Sequence, residues 1–177
     1  MEKKIIEKVK KQLLSSDKQH VLDALKFLEE EGDSSVIEVV AKSLICQEDE
    51  VIKENIRQFF MRIKNNNVVK NILEIIENNR FLSEKKFFIS LCWQLPLQFD
   101  DFYDFFLKIF YEDNFENAFE AFTVIDTIIN KGKQNLSEKV IAERIDELKS
   151  HLSKIDEQKR LLSMEMIHGW MSIDSME

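Results

Sequence analysis

Apolar residues in this chain recur at helical spacing, and that spacing itself recurs. Leu25, Ile56, Phe88 and Phe119 lie 31, 32 and 31 residues apart, and Leu28, Phe59, Leu91 and Phe122 follow three positions after each. Such i, i+3 pairs share one helix face. A second register runs between them. Val36, Val68 and Phe102 are separated by 32 and 34 residues; Val40, Ile72 and Phe106 keep those steps, as do Leu44, Ile76 and Phe110. Positions four apart make a continuous stripe along a helix. Two registers locked to one period predict a repeated two-helix unit. A single hairpin cannot bury its stripe, whereas stacked neighbours can.

Polar starters punctuate the pattern near Asp17, Asp49, Ser83 and Asn114, in steps of 32, 34 and 31. Ser16 with Gln19 and Asp113 with Glu116 fit capping boxes. Ser83 and Ser137 read as N-caps, each preceded by a leucine (Leu82, Leu136) at staple spacing from Phe87 and Ile141. Gly32 and Gly132 fall where helices close, Asn65-Asn66-Asn67 makes a turn, and Pro96 ends the helix that carries Trp93. After Gly132 the pattern changes. Ile141, Ile145, Leu148, Leu152 and Ile155 step by 4, 3, 4 and 3, a short heptad-like seam, and Leu162, Met166, Ile167 and Trp170 extend an apolar face. The expected architecture is all-α: one domain, an α-α superhelix or short solenoid of about four hairpins. Residues 1–15 form an N-terminal cap helix, 16–132 the repeated hairpins and 133–177 a C-terminal helical cap.

Asp49, Ile52-Lys53, Ile56, Phe59, the asparagine turn, Val68-Val69 and Ile72-Leu73 together resemble a HEAT-type repeat, especially the short HEAT-like variety. Residues 17–45 echo it through Asp17, Leu25, Leu28, Val36 and Val40, and the resemblance spans roughly 17–130. The sequence departs from the pattern in places. Lys53 matches the basic position but Asp23 replaces it one unit earlier, Asn55 and Phe59 stand where small residues are usual, and the kinking proline is missing. The resemblance implies a HEAT/armadillo-like superhelix and a habit of binding other proteins.

Composition agrees with helices. There are 3 Gly and 1 Pro in 177 residues, too few for a turn-rich sheet protein. Hydrophobic residues at 44% and charged residues at 33% place the chain among globular proteins rather than disordered ones. The net charge of −8 counts against nucleic acid as a partner, since phosphate binding wants a basic field. No apolar run approaches the roughly 18 residues of a membrane span. The start of the chain has no signal-peptide h-region, so a cytoplasmic location is expected. Cys46 and Cys92 sit in apolar stretches and read as two buried, reduced thiols.

The sequence shows no catalytic, metal-binding or cofactor signature. His20, His151 and His168 lack ligand spacing, and with so few glycines a phosphate cradle is nearly ruled out. The departure from uniformity is segment 97–126, which holds eight acids against Lys108 alone, a local charge of −7, and eight of the 14 phenylalanines. One reading makes this a helix buried between neighbours with a solvated acidic back. The other makes it a docking surface for a protein with a basic surface, with Tyr111 and Tyr103 as aromatic anchors among Asp100, Asp101 and Asp104. Trp93 reads as boundary packing or as a further anchor. Lys3, Lys4, Lys8, Lys10 and Lys11 give the first helix a basic face, read mainly as solvated. Four of the six methionines (Met164, Met166, Met171 and Met176) lie in the tail, which reads as a cap or as a homodimer or peptide contact. The expected function is a non-enzymatic protein-binding scaffold. The alternative is a HEAT-like enzyme or nucleic-acid repair module, which requires a basic groove.

Overall fold

The computed structural model of the protein describes residues 3–31, 34–132 and 138–171. Among them are ten α-helices and no strand. They fall into two compact units, residues 1–98 and 99–177.

The first unit holds α1 (Lys3–Leu13), α2 (Lys18–Glu31), α3 (Ile37–Cys46), α4 (Glu50–Met61), α5 (Val69–Glu77) and α6 (Lys85–Gln94). Here α1 packs on α3 and α3 on α5, while α2 packs on α4 and α4 on α6, which makes two layers. Contacts of α1 with α2, α3 with α4 and α5 with α6 tie the layers together. The interior is the apolar stripe of each helix. Leu25, Leu28, Ile56, Phe59, Phe88 and Leu91 are all buried, as are Val36, Val40, Leu44, Val68, Ile72 and Ile76. Phe60 and Phe88 meet edge-on at 5.2 Å, and Phe81 lies 6.2 Å from Phe88, the T-shaped geometry that aromatic quadrupoles prefer.

Polar contacts in this unit repeat with nearly the same period. Ser43 Oγ donates to the Leu13 carbonyl 30 residues away, Lys18 pairs with Asp49 at a separation of 31, and Gln47 Nε2 donates to the Ser15 carbonyl at 32. The Gln98 backbone N–H donates to Asn66 Oδ1 at 32, and Arg62 pairs with Glu29 at 33. Equivalent points of successive helices therefore lie side by side.

The second unit holds α7 (Tyr103–Glu112), α8 (Phe115–Gly132), α9 (Glu138–His151) and α10 (Glu157–Met171), with α8 packed on α7 and α10 packed on α8 and α9. Residues 138–171 are thus two helices. Asp156 caps the second by accepting from the Lys159 backbone N–H at 2.9 Å.

Helix starts correct several sequence expectations. Asp17, not Ser16, caps α2, accepting from Gln19 N at 2.9 Å, and Asn114, not Asp113, caps α8, accepting from Asn117 N at 3.0 Å. A carboxylate or amide one residue closer to the helix reaches the free N–H groups without a competing turn. Asp49 caps α4 as expected, through Val51 N and Ile52 N. Ser83 lies inside a 3-10 turn, Asn79–Glu84, whose cap is Asn78. Gly132 is the last residue of α8 rather than a residue beyond it. Gly32, Leu136 and Ser137 lie outside the described residues. Pro96 acts as expected: Leu95 is extended and α6 stops at Gln94.

Two burial expectations also change. Cys46, at the end of α3, is exposed, while Cys92 is buried. Phe119 is 46% exposed although Phe88, its register equivalent, is fully buried. In α8 the inward positions are Ala118, Ala121, Val124 and Ile125, so the stripe is turned one residue from the earlier register.

Candidate functional site

The acidic segment begins in a 3-10 turn, Asp100–Phe102, and continues through α7. At 3.6 residues per turn, Tyr103, Phe106, Leu107 and Phe110 share the buried side, and Asp104, Lys108 and Glu112 share the solvent side. Asp100 and Asp101 are exposed too. Asp100, Asp101 and Glu112 form no ion pair among the described residues, so their charges face water uncompensated. Asp104 differs: its carboxylate accepts from Arg144 Nη1 at 2.8 Å.

The two tyrosines are not projecting anchors. Tyr103 is 6% exposed, and the Arg144 guanidinium lies 4.0 Å above its ring centre. The same guanidinium donates to Glu147 at 3.2 Å, so α9 covers Tyr103 with a cation held between two carboxylates. Tyr111 is half-buried and stacks on His151 at 4.3 Å and 17°. His151 Nδ1–H donates to the Glu147 carbonyl at 2.9 Å, which fixes the ring plane. Both phenol oxygens are buried without a hydrogen-bond partner among the described residues. Burial pushes both phenols well above their ordinary value, against the attraction of Arg144 at Tyr103 and reinforced by Glu147 at Tyr111. Both are therefore neutral at physiological pH, and neither is a ready base or nucleophile.

Behind Tyr111, Lys159 of α10 is 5% exposed and donates to the carbonyls of Tyr111 at 3.0 Å and Asp113 at 2.6 Å. These are end carbonyls of α7, where the helix dipole is negative and backbone acceptors lack intrahelical donors.

The second helix of this unit supplies an apolar surface. Phe115 and Phe119 are 37% and 46% exposed, and the rings of Phe115, Phe119 and Phe122 follow one another at 6.3 and 6.2 Å. Glu116 and Glu120 flank this ladder along α8. Trp93, 38% exposed, belongs to the first unit, whereas the other five candidate residues belong to the second.

Arg144, Glu147 and Lys159 carry no expectation from the sequence, and His151 is considered there only as a metal ligand. Arg144, Glu147 and His151 stand at i, i+3 and i+7, a polar stripe whose helical spacing was the available signal. Among the described residues no group of three or more His, Cys, Asp or Glu is placed to hold a metal ion, and no helix is long and apolar enough to cross a membrane. Set against protein-family models, curated proteins and solved structures, the chain matches none of them.

Proposed function

We propose that this chain is a non-enzymatic protein-binding scaffold, a short stack of HEAT-like helical hairpins whose second unit docks a basic amphipathic segment of another protein. The stacked-hairpin part of this reading draws support from the polar contacts in the first unit at separations of 30 to 33 residues.

The docking part is carried by one observation. All the net charge lies in the unit that also exposes the phenylalanine ladder. Residues 1–98 contain 16 Lys and Arg against 16 Asp and Glu, whereas 99–177 contain 9 against 17, which accounts for the whole −8. A net-acidic surface that includes the exposed Asp100, Asp101 and Glu112, in the same unit as exposed aromatic rings, suits a helix with basic and apolar positions. The charges steer the approach and set the salt dependence, and the rings supply buried area. The enzyme or nucleic-acid reading needs a basic groove, and a charge-balanced first unit and an acidic second unit lend it no support. Free thiols at Cys46 and Cys92 suit the reducing cytoplasm that this reading assigns to the chain.

The test is titration of the full chain with a synthetic 14-residue helical peptide of leucines and lysines at amphipathic spacing. Saturable binding that weakens steeply with salt is expected, and it should weaken further in Phe119→Asp and in Asp100→Lys/Asp101→Lys. Absence of saturable binding at low salt, or equal binding by those variants, overturns the docking surface.

A further inference from the structure

The first unit contains an open cleft of about 470 Å³ that the docking surface does not involve. It lies where α2 ends and α3 begins, against the end of α4 and the turn leading into α5. Its floor is apolar: Leu28, Ile37, Phe59 and Val68 line it, each less than 10% exposed. A volume of this size falls within the range of small-molecule sites, about 300–1,000 Å³.

The rim is polar and its charge is unbalanced. Arg62 and Lys64 stand there with one acid, Glu29. Arg62 Nη1 and Glu29 Oε1 are 2.7 Å apart and neutralise each other. Lys64 is exposed and has no ion-pair partner among the described residues. Ser34, which opens the 3-10 turn Ser34–Val36, adds a hydroxyl that makes no hydrogen bond among the described residues. Asn65 Oδ1 accepts from the Asn67 backbone N–H at 3.0 Å, which orients its side-chain amide at the rim.

An apolar floor below one uncompensated cation and one free hydroxyl is complementary to a molecule with an apolar body and one negative end. We propose that this cleft binds a small amphiphilic monoanion, a medium-chain carboxylate in its simplest form. The alkyl chain lies against Phe59 and Ile37, and the carboxylate accepts from Lys64 and Ser34. A polyanion is a poor fit, since Glu29 already takes one of the two rim cations. A neutral alkyl chain is a poorer fit too, because it offers Lys64 and Ser34 no charged acceptor.

The test is titration of the full 177-residue chain with sodium decanoate, followed by amide chemical shifts, with decanol as the neutral control. Saturable shifts confined to the neighbourhood of residues 28–68 are expected. Lys64→Glu should weaken decanoate binding about tenfold or more, the worth of a charge-assisted hydrogen bond replaced by repulsion. Decanol should bind the unaltered chain more weakly than decanoate. Lys64 is exposed and unpaired, so the substitution leaves the fold intact, and the thermal unfolding midpoint of the variant verifies this. The proposal is overturned by shifts that do not saturate, by shifts centred on residues 99–171, by equal decanoate binding in Lys64→Glu, or by decanol binding as tightly as decanoate. None of these results bears on peptide docking to the second unit, so the two readings stand or fall separately.

Discussion

Lys159 Nζ reaches the carbonyl oxygen of Asp113, 46 positions earlier in the chain, at 2.6 Å. With the second bond to the Tyr111 carbonyl at 3.0 Å, one buried ammonium from α10 closes the end of α7. Removing it leaves two end-of-helix acceptors to find water in a buried place. Lys159→Ala is expected to cost about 1.5–3 kcal/mol, the range for hydrogen bonds to a charged group. Lys159→Met, which keeps the packing of the stem, should lose slightly less. Urea denaturation of the full chain, comparing midpoints at constant slope, checks this. A loss below about 0.5 kcal/mol for both variants would show that the ammonium is not a cap.

Arg144 does three things at once: it covers the Tyr103 ring, donates to Asp104 and donates to Glu147. Their contributions are unequal. The Asp104 side chain is 80% exposed, so solvent and salt screen that pair, and Asp104→Ala should cost less than about 0.5 kcal/mol. Arg144→Ala also uncovers Tyr103 and should cost about 1–2 kcal/mol. Arg144→Lys should recover only part of this, because an ammonium lacks the flat face that rests on the ring. The near-ultraviolet circular dichroism of Tyr103 gives an independent readout: it should change in both Arg144 variants and stay constant in Asp104→Ala.

The helices themselves were legible because burial follows a 3.6-residue period that the sequence carries openly. Ile56 and Phe88 were expected inside and are fully buried. The exposed charged residues were legible for the same reason, since Asp104, Lys108 and Glu112 lie opposite the stripe. What could not be read was the covering of the tyrosines. A wheel of α7 alone places Tyr111 among the acids, but Arg144 lies 41 residues beyond Tyr103, and Lys159 lies farther still. No local periodicity encodes which distant side chain comes to rest on a ring. Caps were misread by one residue for a related reason: Ser16 and Asp17, like Asp113 and Asn114, are adjacent capping residues, and backbone geometry chooses between them.

Asp49 gives the stability an acid-side dependence. Its carboxyl is held below the ordinary value, first by the hydrogen bond from Lys18, then by the Ile52 backbone N–H, with a smaller contribution from Val51. A depressed folded-state pKa contributes stability above the unfolded value, about 3.9, and that contribution is lost as the pH falls through the folded value. The Glu50 carboxyl is lowered in the same sense by Lys53. Thermal midpoints should therefore change little between pH 7 and about 5 and fall below about pH 4. Asp49→Asn retains a capping side chain but not the titrating group, so its decline in that window should be shallower. An identical pH profile for the variant would remove Asp49 from the account.

The two thiols should differ in reactivity. Cys92 is buried, its Sγ lies 3.4 Å from the Phe88 carbonyl, and burial pushes its thiol well above the ordinary value. Alkylation requires an accessible thiolate, and this one is neither accessible nor ionised. Cys46 is exposed. Ellman's reagent should titrate one thiol in the native chain and two in guanidinium chloride. Cys46→Ser should reduce the native count to none, and two rapidly reacting native thiols would contradict the burial of Cys92.

Phe88 and Phe119 occupy equivalent places in the sequence register, yet the first is fully buried and the second is 46% exposed. The same substitution at both therefore separates sequence pattern from packing. Phe88 touches Phe60, Phe81 and Phe87, with centroids at 5.2, 6.2 and 5.3 Å, so an aspartate there puts an unpaired charge among aromatic rings. Phe88→Ala should cost about 3–5 kcal/mol and Phe88→Asp should unfold the first unit. Among the described residues the Phe119 ring meets those of Phe115 and Phe122, on its own helix, and is 46% exposed. Phe119→Asp should cost no more than about 1 kcal/mol. Far-ultraviolet circular dichroism during heating reads both. If the two aspartate variants unfold alike, the register continues unbroken into α8 and the ladder is interior. If Phe119→Asp melts near the unaltered chain while Phe88→Asp does not fold, α8 is turned as described, and its phenylalanines face outward where a partner can meet them.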